Sequence, residues 1–597
     1  MSTTRHAVEP TALSATETVF AGDPIVVYNA SPPTSPSKTM DGIPKTTSPA
    51  DSFSPVRPKA ERVLTMDPTG IPPVIPPDHP HRNLILCFDG TGDQFDADNS
   101  NIVQLVSMLK KDDKTKQMVY YQAGIGTYIS PSVATPFMSK LSKTLDEMLA
   151  WNLDAHVMSG YEFLMQNYVD GDKICIFGFS RGAYTARSLA GMIHKVGLLP
   201  ADNFQQVPFA YKMYTRTDNV GWEQSNAFKK AFSVDVKIEF LGVWDTVDSV
   251  GMIPKRLPFT TSNTIVRTFR HAISLDEHRA KFKTNLWNRP NDEELKLGIH
   301  STHSDEKDIL CDDDQHEDDA HSHEHSANGD TSKGNGAPKG KRGKRGARIW
   351  TMDNDTDQAM NRYESIYSER RQPSDIEEVW FAGCHCDVGG GSVANGTRHS
   401  LARIPLRWMV RECFKANTGI LFKSKALREI GLDPTTLYPF VTPRPPPLSP
   451  GSMHIEKHPE VTLSKHIKSL FRSKAKKAEG SEEGNLITSP SVISATILSE
   501  EEEELRDALS PIYDQLKMKR SWWLLEVLPL SLRYQKGDNQ WITYIGINMG
   551  KSRFIPKQHT WGVKVHRSVK IRMDSQHKSG KKYKPKANFH VEPTWID

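Results

Sequence analysis

The sequence lacks the cysteine spacing of a disulfide framework or a zinc ribbon. Its six cysteines are scattered through apolar runs, and no two of them form a C-x-x-C pair. This distribution indicates reduced thiols that pack as small apolar side chains. A disulfide-stabilised secreted domain is therefore not expected.

A long apolar run is also missing. The most apolar segment, WWLLEVLPLSL from Trp522, contains Glu526 and Pro529, and a membrane-spanning helix needs about 20 apolar residues. The N-terminal residues have no apolar core of the kind found in a signal peptide. We therefore expect a cytoplasmic protein, although the segment at Trp522 could rest transiently on a membrane surface.

Neither sign of charge dominates. The formal net charge is only +4 over 597 residues, so the composition predicts no nucleic-acid partner. The 37% hydrophobic and 25% charged residues suit a globular protein that carries some disordered segments.

Three segments have compositions that do not form a core. Residues 1–80 are rich in Pro, Ser and Thr, residues 303–347 change from an acidic, His-rich tract to a basic one, and residues 443–500 are Pro- and Lys-rich. We expect a disordered tail and two low-complexity insertions, because ordered-looking sequence resumes after each insertion. The parts of a single interrupted domain would be residues 81–302, 348–442 and 501–597.

The remaining sequence alternates strand-like and helix-like segments. Apolar runs in NLILCFDGTG, MVYYQAGIG, KICIFGFSRG, VKIEFLGVWDTV and IEEVWFAGCHCDVGG predict buried strands. Helices are predicted from about Ser139 to Tyr168 and over AYTARSLAGMIHKVG, which Gly197 would end. This alternation predicts an α/β fold with a mostly parallel, doubly wound sheet. In such folds, functional residues collect at the C-terminal ends of the strands.

Residues 178–182 form a G-x-S-x-G motif between a predicted strand and a predicted helix. This is the context of a nucleophile elbow, in which flanking glycines permit a tight turn and Ser180 stands above the sheet edge. The N-terminus of the helix directs backbone N–H groups to the same point, and the N–H of Arg181 could stabilise an oxyanion. The motif predicts Ser180 as a nucleophile.

A serine nucleophile requires a base and a carboxylate that orients the base. Asp245 follows the apolar run of VKIEFLGVWDTV, and His385 follows that of IEEVWFAGCHC. Their order after the serine matches that of α/β-hydrolase triads, whose members lie at strand ends. We predict Asp245 as the acid and His385 as the base, with Asp248 as the second candidate for the acid.

Cys384 and Cys386 flank His385, so metal or redox chemistry has to be considered. In an extended segment the two thiols would share one side and the imidazole would point to the other. Zinc needs about four ligands, and no second pair of suitable spacing is present. We expect packed cysteines, no metal site, and a tight turn at the glycines of residues 389–391. Asp387 either bonds this loop or neighbours the site.

The loop after the first strand allows two interpretations. LCFDGTG resembles the D-x-D-G-T motif of haloacid-dehalogenase phosphatases, but Cys87 stands where that motif has its nucleophilic aspartate. The alternative is a Gly-rich loop after an early strand, where hydrolases place the second oxyanion donor. The backbone N–H groups of Gly90 and Thr91 are the candidates, and Asp89 would lie beside the site.

The motifs CFDGTGD, FGFSRGAYTARSLAGMI, GVWDTVDSVG and AGCHCDVGGG, in this order, closely resemble one family. It is the α/β-hydrolase family typified by the catalytic domain of type VI secretion phospholipase effectors, which has many fungal members. The resemblance covers about Arg82 to Arg411 without the acidic–basic insertion. It implies Ser180 as nucleophile, Asp245 as acid and His385 as base, no cofactor, and an ester or lipid substrate.

Three functional hypotheses follow. The first is a serine esterase or lipase that acts on acyl lipids. The second is a catalytically silent scaffold with the same fold, and the third is a metal-assisted phosphatase that uses Asp89, Asp387 and the His/Asp tract at residues 312–325. The sequence does not indicate the oligomeric state.

Overall fold

The computed structural model describes residues 70–124, 153–247, 256–288, 350–351, 355–368, 373–458, 498–537 and 540–597. The predicted insertion at 303–347 and the alternative acid Asp248 lie outside these residues, as do most residues of the predicted tail and of the second insertion.

The strands of the described residues include each buried strand that the sequence predicts, together with three further strands of seven to nine residues and several short ones. They are β1 (Val74–Ile75), β2 (Asn83–Phe88), β3 (Gln117–Gln122), β4 (Lys173–Phe179), β5 (Ile238–Trp244), β6 (Val266–Ser274), β7 (Trp350–Thr351), β8 (Asp375–Phe381), β9 (Phe422–Lys423), β10 (Leu530–Gly537), β11 (Gln540–Gly546), β12 (Lys564–His566) and β13 (Thr594–Ile596).

A central sheet of eight strands organises the fold. Its order is β13-β12-β8-β6-β5-β4-β2-β3, and every neighbouring pair in it is parallel. In two smaller antiparallel sheets, β1 pairs with β9, and β11 pairs with both β10 and β7. The parallel sheet confirms the predicted fold class, that of an α/β hydrolase.

The helices of the described residues begin and end as follows. They are α1 (Asn101–Met108), α2 (Leu153–Asn167), α3 (Ser180–Val196), α4 (Val207–Thr215), α5 (Asn219–Phe232), α6 (Asp355–Ile366), α7 (His385–Gly389), α8 (Arg403–Lys415), α9 (Ser424–Glu429), α10 (Glu500–Ala508), α11 (Gln515–Met518), α12 (Trp523–Val527), α13 (Gln558–Trp561) and α14 (Arg567–Asp574). Among them, none combines the length and the apolar character that crossing a bilayer requires.

The sheet separates two apolar cores. Along β2, Leu84 and Leu86 belong to the core that contains α2 and α3, whereas Ile85 and Cys87 belong to the core that contains α1 and α8. Successive side chains of a strand point to opposite faces, so a continuous apolar run is needed when both faces are covered. This explains why the strands appear in the sequence as unbroken apolar segments.

Helix α3 is more deeply buried than its sequence suggests. All 17 of its residues are buried, and Gly197 ends it with φ of 70°. The polar Arg187 on this helix donates to the backbone oxygens of Thr260 and Asn285, so its charge is satisfied inside the protein. Helix α3, which begins with Ser180, is thus packed against other parts of the protein on all sides.

Residues 70–80 differ from the predicted tail. Val74–Ile75 pairs with Phe422–Lys423, and Ile75 is completely buried. We expected a tail here because the stretch is rich in Pro. Pro is nevertheless compatible with a strand at the edge of a sheet.

Candidate active site

Ser180 occupies the tight turn between β4 and α3. Its φ is 58°, in the left-handed region that side chains other than glycine rarely adopt. A Cβ atom at Gly182 would lie 2.3 Å from the backbone oxygen of Asp89, and one at Gly178 would lie 2.5 Å from the oxygen of Gly182. The turn therefore has room for a serine only because glycine stands on both sides of it.

Ser180, His385 and Asp245 form a hydrogen-bonded chain. The Ser180 Oγ lies 2.7 Å from His385 Nε2, and His385 Nδ1 lies 2.5 Å from Asp245 Oδ2. Each of the three side chains is buried. An imidazole that donates its Nδ1–H to the carboxylate keeps Nε2 free to accept the serine proton.

Two aromatic rings enclose the His385 imidazole. The ring of Phe179 lies 4.7 Å from it and the ring of Phe282 lies 4.8 Å from it, centroid to centroid. Burial lowers the pKa of His385, although the hydrogen bond and charge of Asp245 oppose this. The imidazole is consequently neutral near pH 7, which is the form that accepts a proton.

Asp245 is held by groups that the sequence did not reveal. The N–H of Ser274 donates to Oδ1 at 2.8 Å, and the Ser274 hydroxyl donates to Oδ2 at 3.1 Å. Arg553 Nη1 contacts Oδ1, and its Nη2 lies 2.9 Å from Oδ2. Burial alone would raise the pKa of Asp245, but the charge of Arg553 and the hydrogen bond from His385 hold it well below its usual range.

Arg553 also fixes one wall of the site. Its Nη2 donates to the backbone oxygen of Phe282 at 2.7 Å, and Phe282 packs against the His385 ring. Arg553 and Asp245 are separated by 308 positions, so no local spacing could have linked them. The arginine lies beyond the segment for which the sequence showed a family resemblance.

A second buried ion pair supports the base. Glu277 Oε2 accepts from the backbone N–H of His385 at 3.2 Å and pairs with Arg279 Nη2 at 2.9 Å. Burial opposes ionisation of Glu277, but the adjacent Arg279 lowers its pKa below the usual range. The Arg279 guanidinium in turn stacks 3.5 Å from the centre of the Phe282 ring. No motif in the sequence predicted this pair.

The two elements that carry the predicted oxyanion donors contact each other. The loop after β2 meets the start of α3, where Arg181 Nη1 donates to Thr91 Oγ1 at 2.9 Å. The N–H of Gly90 donates to Asp89 Oδ1 at 2.8 Å. The roles of Gly90, Thr91 and Arg181 toward an oxyanion stay predictions.

Asp89 is buried within its own loop. Its carboxylate accepts from the Ser100 hydroxyl at 2.6 Å and from the Tyr121 hydroxyl at 2.8 Å. These bonds connect the loop after β2 to the N-terminus of α1 and to β3, so Asp89 shapes the loop.

Asp387 caps the short helix that carries His385. Its Oδ2 accepts from the N–H of Cys384 at 2.8 Å and from the N–H of Tyr513 at 3.0 Å. Burial raises the pKa of Asp387 to about 7. The sequence left open whether Asp387 bonds its own loop or neighbours the site. These bonds correspond to the first role.

The expectation of an extended segment at Cys384–Cys386 was wrong. β8 ends at Phe381, and His385 begins α7. The cause is the capping by Asp387, since a side chain that bonds a free N–H stabilises a helix start. Cys384 is buried and Cys386 is partly exposed.

One group of residues in the described part of the chain has the geometry to hold a cation. It consists of His399, Glu503 and Asp507. Arg403 lies 2.9 Å from Glu503 and Arg407 lies 2.6 Å from Asp507, so these carboxylates already pair with guanidinium groups. The His/Asp tract at residues 312–325 lies outside the described residues.

Comparison with known proteins places the site in a family. Residues 82–412 match the family model described as T6SS, Phospholipase effector Tle1-like, catalytic domain. The chain is 30% identical over 579 residues to the uncharacterized protein YEL023C of Saccharomyces cerevisiae, and the alignment covers 84% of this chain and 80% of the yeast protein.

Two solved structures are similar to parts of the chain. An uncharacterized protein from Pseudomonas aeruginosa shares 16% identity with a TM-score of 0.28, over 57% of this chain and 46% of that one. The Tle1 effector bound to the VgrG spike from the Type 6 secretion system shares 18% identity with a TM-score of 0.20, over 36% of this chain and 49% of that one. The chain thus spans less than half of each of these proteins.

The family match extends over more than half of the chain and contains Ser180, Asp245 and His385. The yeast relative aligns over most of both sequences. This chain therefore belongs to the family of Tle1-like phospholipase effector catalytic domains.

Proposed function

We propose that this protein is a serine hydrolase that cleaves carboxylic esters of acyl lipids. The observation that carries the proposal is the continuous chain from Ser180 Oγ through the His385 imidazole to the Asp245 carboxylate. A buried serine that bonds a neutral, carboxylate-oriented imidazole is the arrangement that nucleophilic acyl transfer requires.

The proposed reaction has two steps. Ser180 attacks the ester carbonyl while His385 Nε2 takes the hydroxyl proton, and Asp245 stabilises the resulting imidazolium. His385 then gives the proton to the leaving alcohol, which departs and leaves an acyl-enzyme. A water molecule activated by His385 hydrolyses the acyl-enzyme and restores Ser180.

The charge that develops on the carbonyl oxygen needs hydrogen-bond donors. The N–H of Arg181 at the start of α3 is one candidate, and the loop at Gly90 and Thr91 supplies the other. The bond between Arg181 and Thr91 supports this assignment because it holds the two elements together. The Gly90 N–H would have to exchange its bond to Asp89 for one to the oxyanion.

The family supports lipids as the substrate class. Its description names phospholipase effectors, and the partly exposed apolar ring of Phe282 beside His385 suits an acyl chain better than a polar substrate. We assign phospholipid acyl esters as the first substrates to test.

The hydrolase domain would comprise residues 81–302, 348–442 and 501–597. Two features support including the C-terminal part. β12 and β13 extend the central sheet, and Arg553 reaches the Asp245 carboxylate.

The test is hydrolysis of a short-chain p-nitrophenyl ester and of phospholipid in detergent micelles. Wild type should cleave both, and Ser180→Ala should cleave neither above background. Ser188→Ala is the matched control, because Ser188 lies on the same helix and its hydroxyl donates to the backbone oxygen of Tyr184, which is not a member of the triad.

The outcome separates the proposal from its rivals. A folded wild-type protein without activity on either substrate would favour the silent scaffold. Phosphatase activity that a chelator abolishes would favour the metal-assisted alternative.

A further inference from the structure

An exposed apolar surface lies beside the site, on residues beyond the family match. Leu524 is 64% exposed and Met549 is 57% exposed. Leu524 lies in residues 518–528 and Met549 in residues 547–549. The other exposed apolar side chains of these two segments are Met518, Trp523, Val527, Leu528 and Ile547. These seven residues are termed the C-terminal apolar surface. Contiguous exposed apolar side chains of this kind mark interaction sites.

The two segments form one rigid framework. The buried Glu526 accepts from the Asn548 side chain at 2.6 Å and from the N–H of Gly550 at 2.8 Å. Its backbone oxygen accepts from the N–H of Met549 at 3.0 Å. Because Leu525 and Glu526 face the interior, Leu524 and Val527 are directed outward. The exposure of these side chains is therefore built into the fold.

The exposed charged side chains of residues 517–530 and 547–551 are all positive. Lys519, Arg520 and Lys551 are exposed at its margin. The only acidic residue between positions 517 and 530 is Glu526, whose carboxylate is buried. Apolar side chains with Trp, Lys and Arg at their border are typical of elements that lie in a membrane interface.

The surface adjoins the proposed catalytic base. Trp522 precedes α12, and its ring lies 5.6 Å from that of Phe282, which in turn lies 4.8 Å from the His385 ring. The rings of Trp522 and Phe282 thus lie between the surface and the base.

We infer that the C-terminal apolar surface docks this protein on a bilayer that contains anionic phospholipids. The inference rests on the proposed function, since it names how a lipid ester reaches Ser180. A second copy of the chain is the less suitable occupant. A symmetric interface would bring the same patch together from both copies and oppose Arg520 to like charges.

The test measures binding apart from catalysis. Full-length Ser180→Ala protein is sedimented with vesicles of phosphatidylcholine alone and of phosphatidylcholine with phosphatidylserine. It should bind the second kind more tightly, and added salt should weaken this binding. Adding Leu524→Asp should weaken binding by about tenfold, because burying one leucine supplies at least that factor.

Leu448→Asp is the matched control for the apolar contact. Leu448 is an exposed leucine of another segment, at 40% exposure against 64% for Leu524, and its replacement should leave vesicle binding unchanged. In a protein with Ser180 intact, Leu524→Asp should retain hydrolysis of the soluble ester and lose most hydrolysis of vesicle lipid. The soluble-ester rate also shows that the variant is folded.

Three results would overturn the inference. They are absence of binding to anionic vesicles, equal binding by the Leu524→Asp variant, and a concentration-dependent dimer in sedimentation velocity that Leu524→Asp dissociates without any vesicle binding. Binding to vesicles without esterase activity would instead refute the proposed function and leave the docking surface in place.

Discussion

Replacing Arg553 with methionine removes the counter-charge of the Asp245 carboxylate. In the native structure both side chains are at most 1% exposed, and the guanidinium contacts both carboxylate oxygens. Breaking a buried pair by deleting one partner costs about 3–5 kcal/mol. Asp245 keeps its bonds to Ser274 and His385, so we expect a loss near 3 kcal/mol, out of about 5–15 kcal/mol in total.

The same substitution should change the proposed base. Without the guanidinium, the Asp245 charge acts on the imidazole alone and favours its protonated form. The pKa of His385 should rise by about one unit, which corresponds to about 1.4 kcal/mol. The acid limb of the kcat/KM profile for a soluble ester should therefore move to higher pH by the same amount. A purely structural role for Arg553 would lower stability without moving this limb.

A double-mutant cycle with Asp245→Asn measures the pair directly. Unfolding in urea is followed by tryptophan fluorescence for both single variants and the double variant. The double variant should be more stable than the sum of the single effects predicts, by about 2 kcal/mol. Arg267→Met is the control, because its pair with Glu239 is exposed on the arginine side and should contribute less than about 1 kcal/mol. Additive single effects would refute the reasoning.

The remaining predictions concern three other positions. Because burial lowers the pKa of His385 below its ordinary value of about 6.5, the midpoint of the acid limb of the wild-type kcat/KM profile should lie below pH 6.5; a midpoint above pH 6.5 would contradict this. Gly182→Ala should cost about 1–3 kcal/mol in urea unfolding, since its Cβ would lie 2.3 Å from the Asp89 oxygen; unchanged stability would mean that the turn can relax. The pKa of Asp387 rises from about 3.9 in the unfolded chain to about 7 in the folded one. Its contribution to stability is therefore complete below pH 4 and is lost as the pH rises toward 7, and Asp387→Asn should remove this decline between about pH 4 and 7. An identical decline in the variant would contradict the assignment.

The strands that build the central sheet could be predicted where both faces are covered by apolar cores. Such strands are continuous apolar runs, and the residues after them meet at one edge of a parallel sheet. For this reason Ser180, Asp245 and His385 could be selected before their distances were known.

Strand β6 escaped prediction because its polar residues are buried in pairs. Arg270 binds Glu412 and Asp375, and His271 lies 3.1 Å from Glu378. These partners come from distant parts of the chain, so the segment VRTFRHAIS does not resemble a buried strand. Ser274 at its end was missed for the same reason.

Arg553 could not be predicted from any local pattern. It lies in the polar stretch MGKSRF, and only the tertiary fold brings it to Asp245. The helix at His385 was missed because the capping bonds of Asp387 outweigh the extended preference of the preceding strand.

Labelling by a fluorophosphonate probe tests the central claim most directly, because the probe reacts only with an activated serine. Wild-type protein should be labelled at Ser180, as identified by mass spectrometry of the modified peptide. Ser180→Ala should show no labelling, and Ser188→Ala should be labelled like the wild type. Equal labelling of Ser180→Ala and wild type would contradict the assignment of Ser180 as the nucleophile.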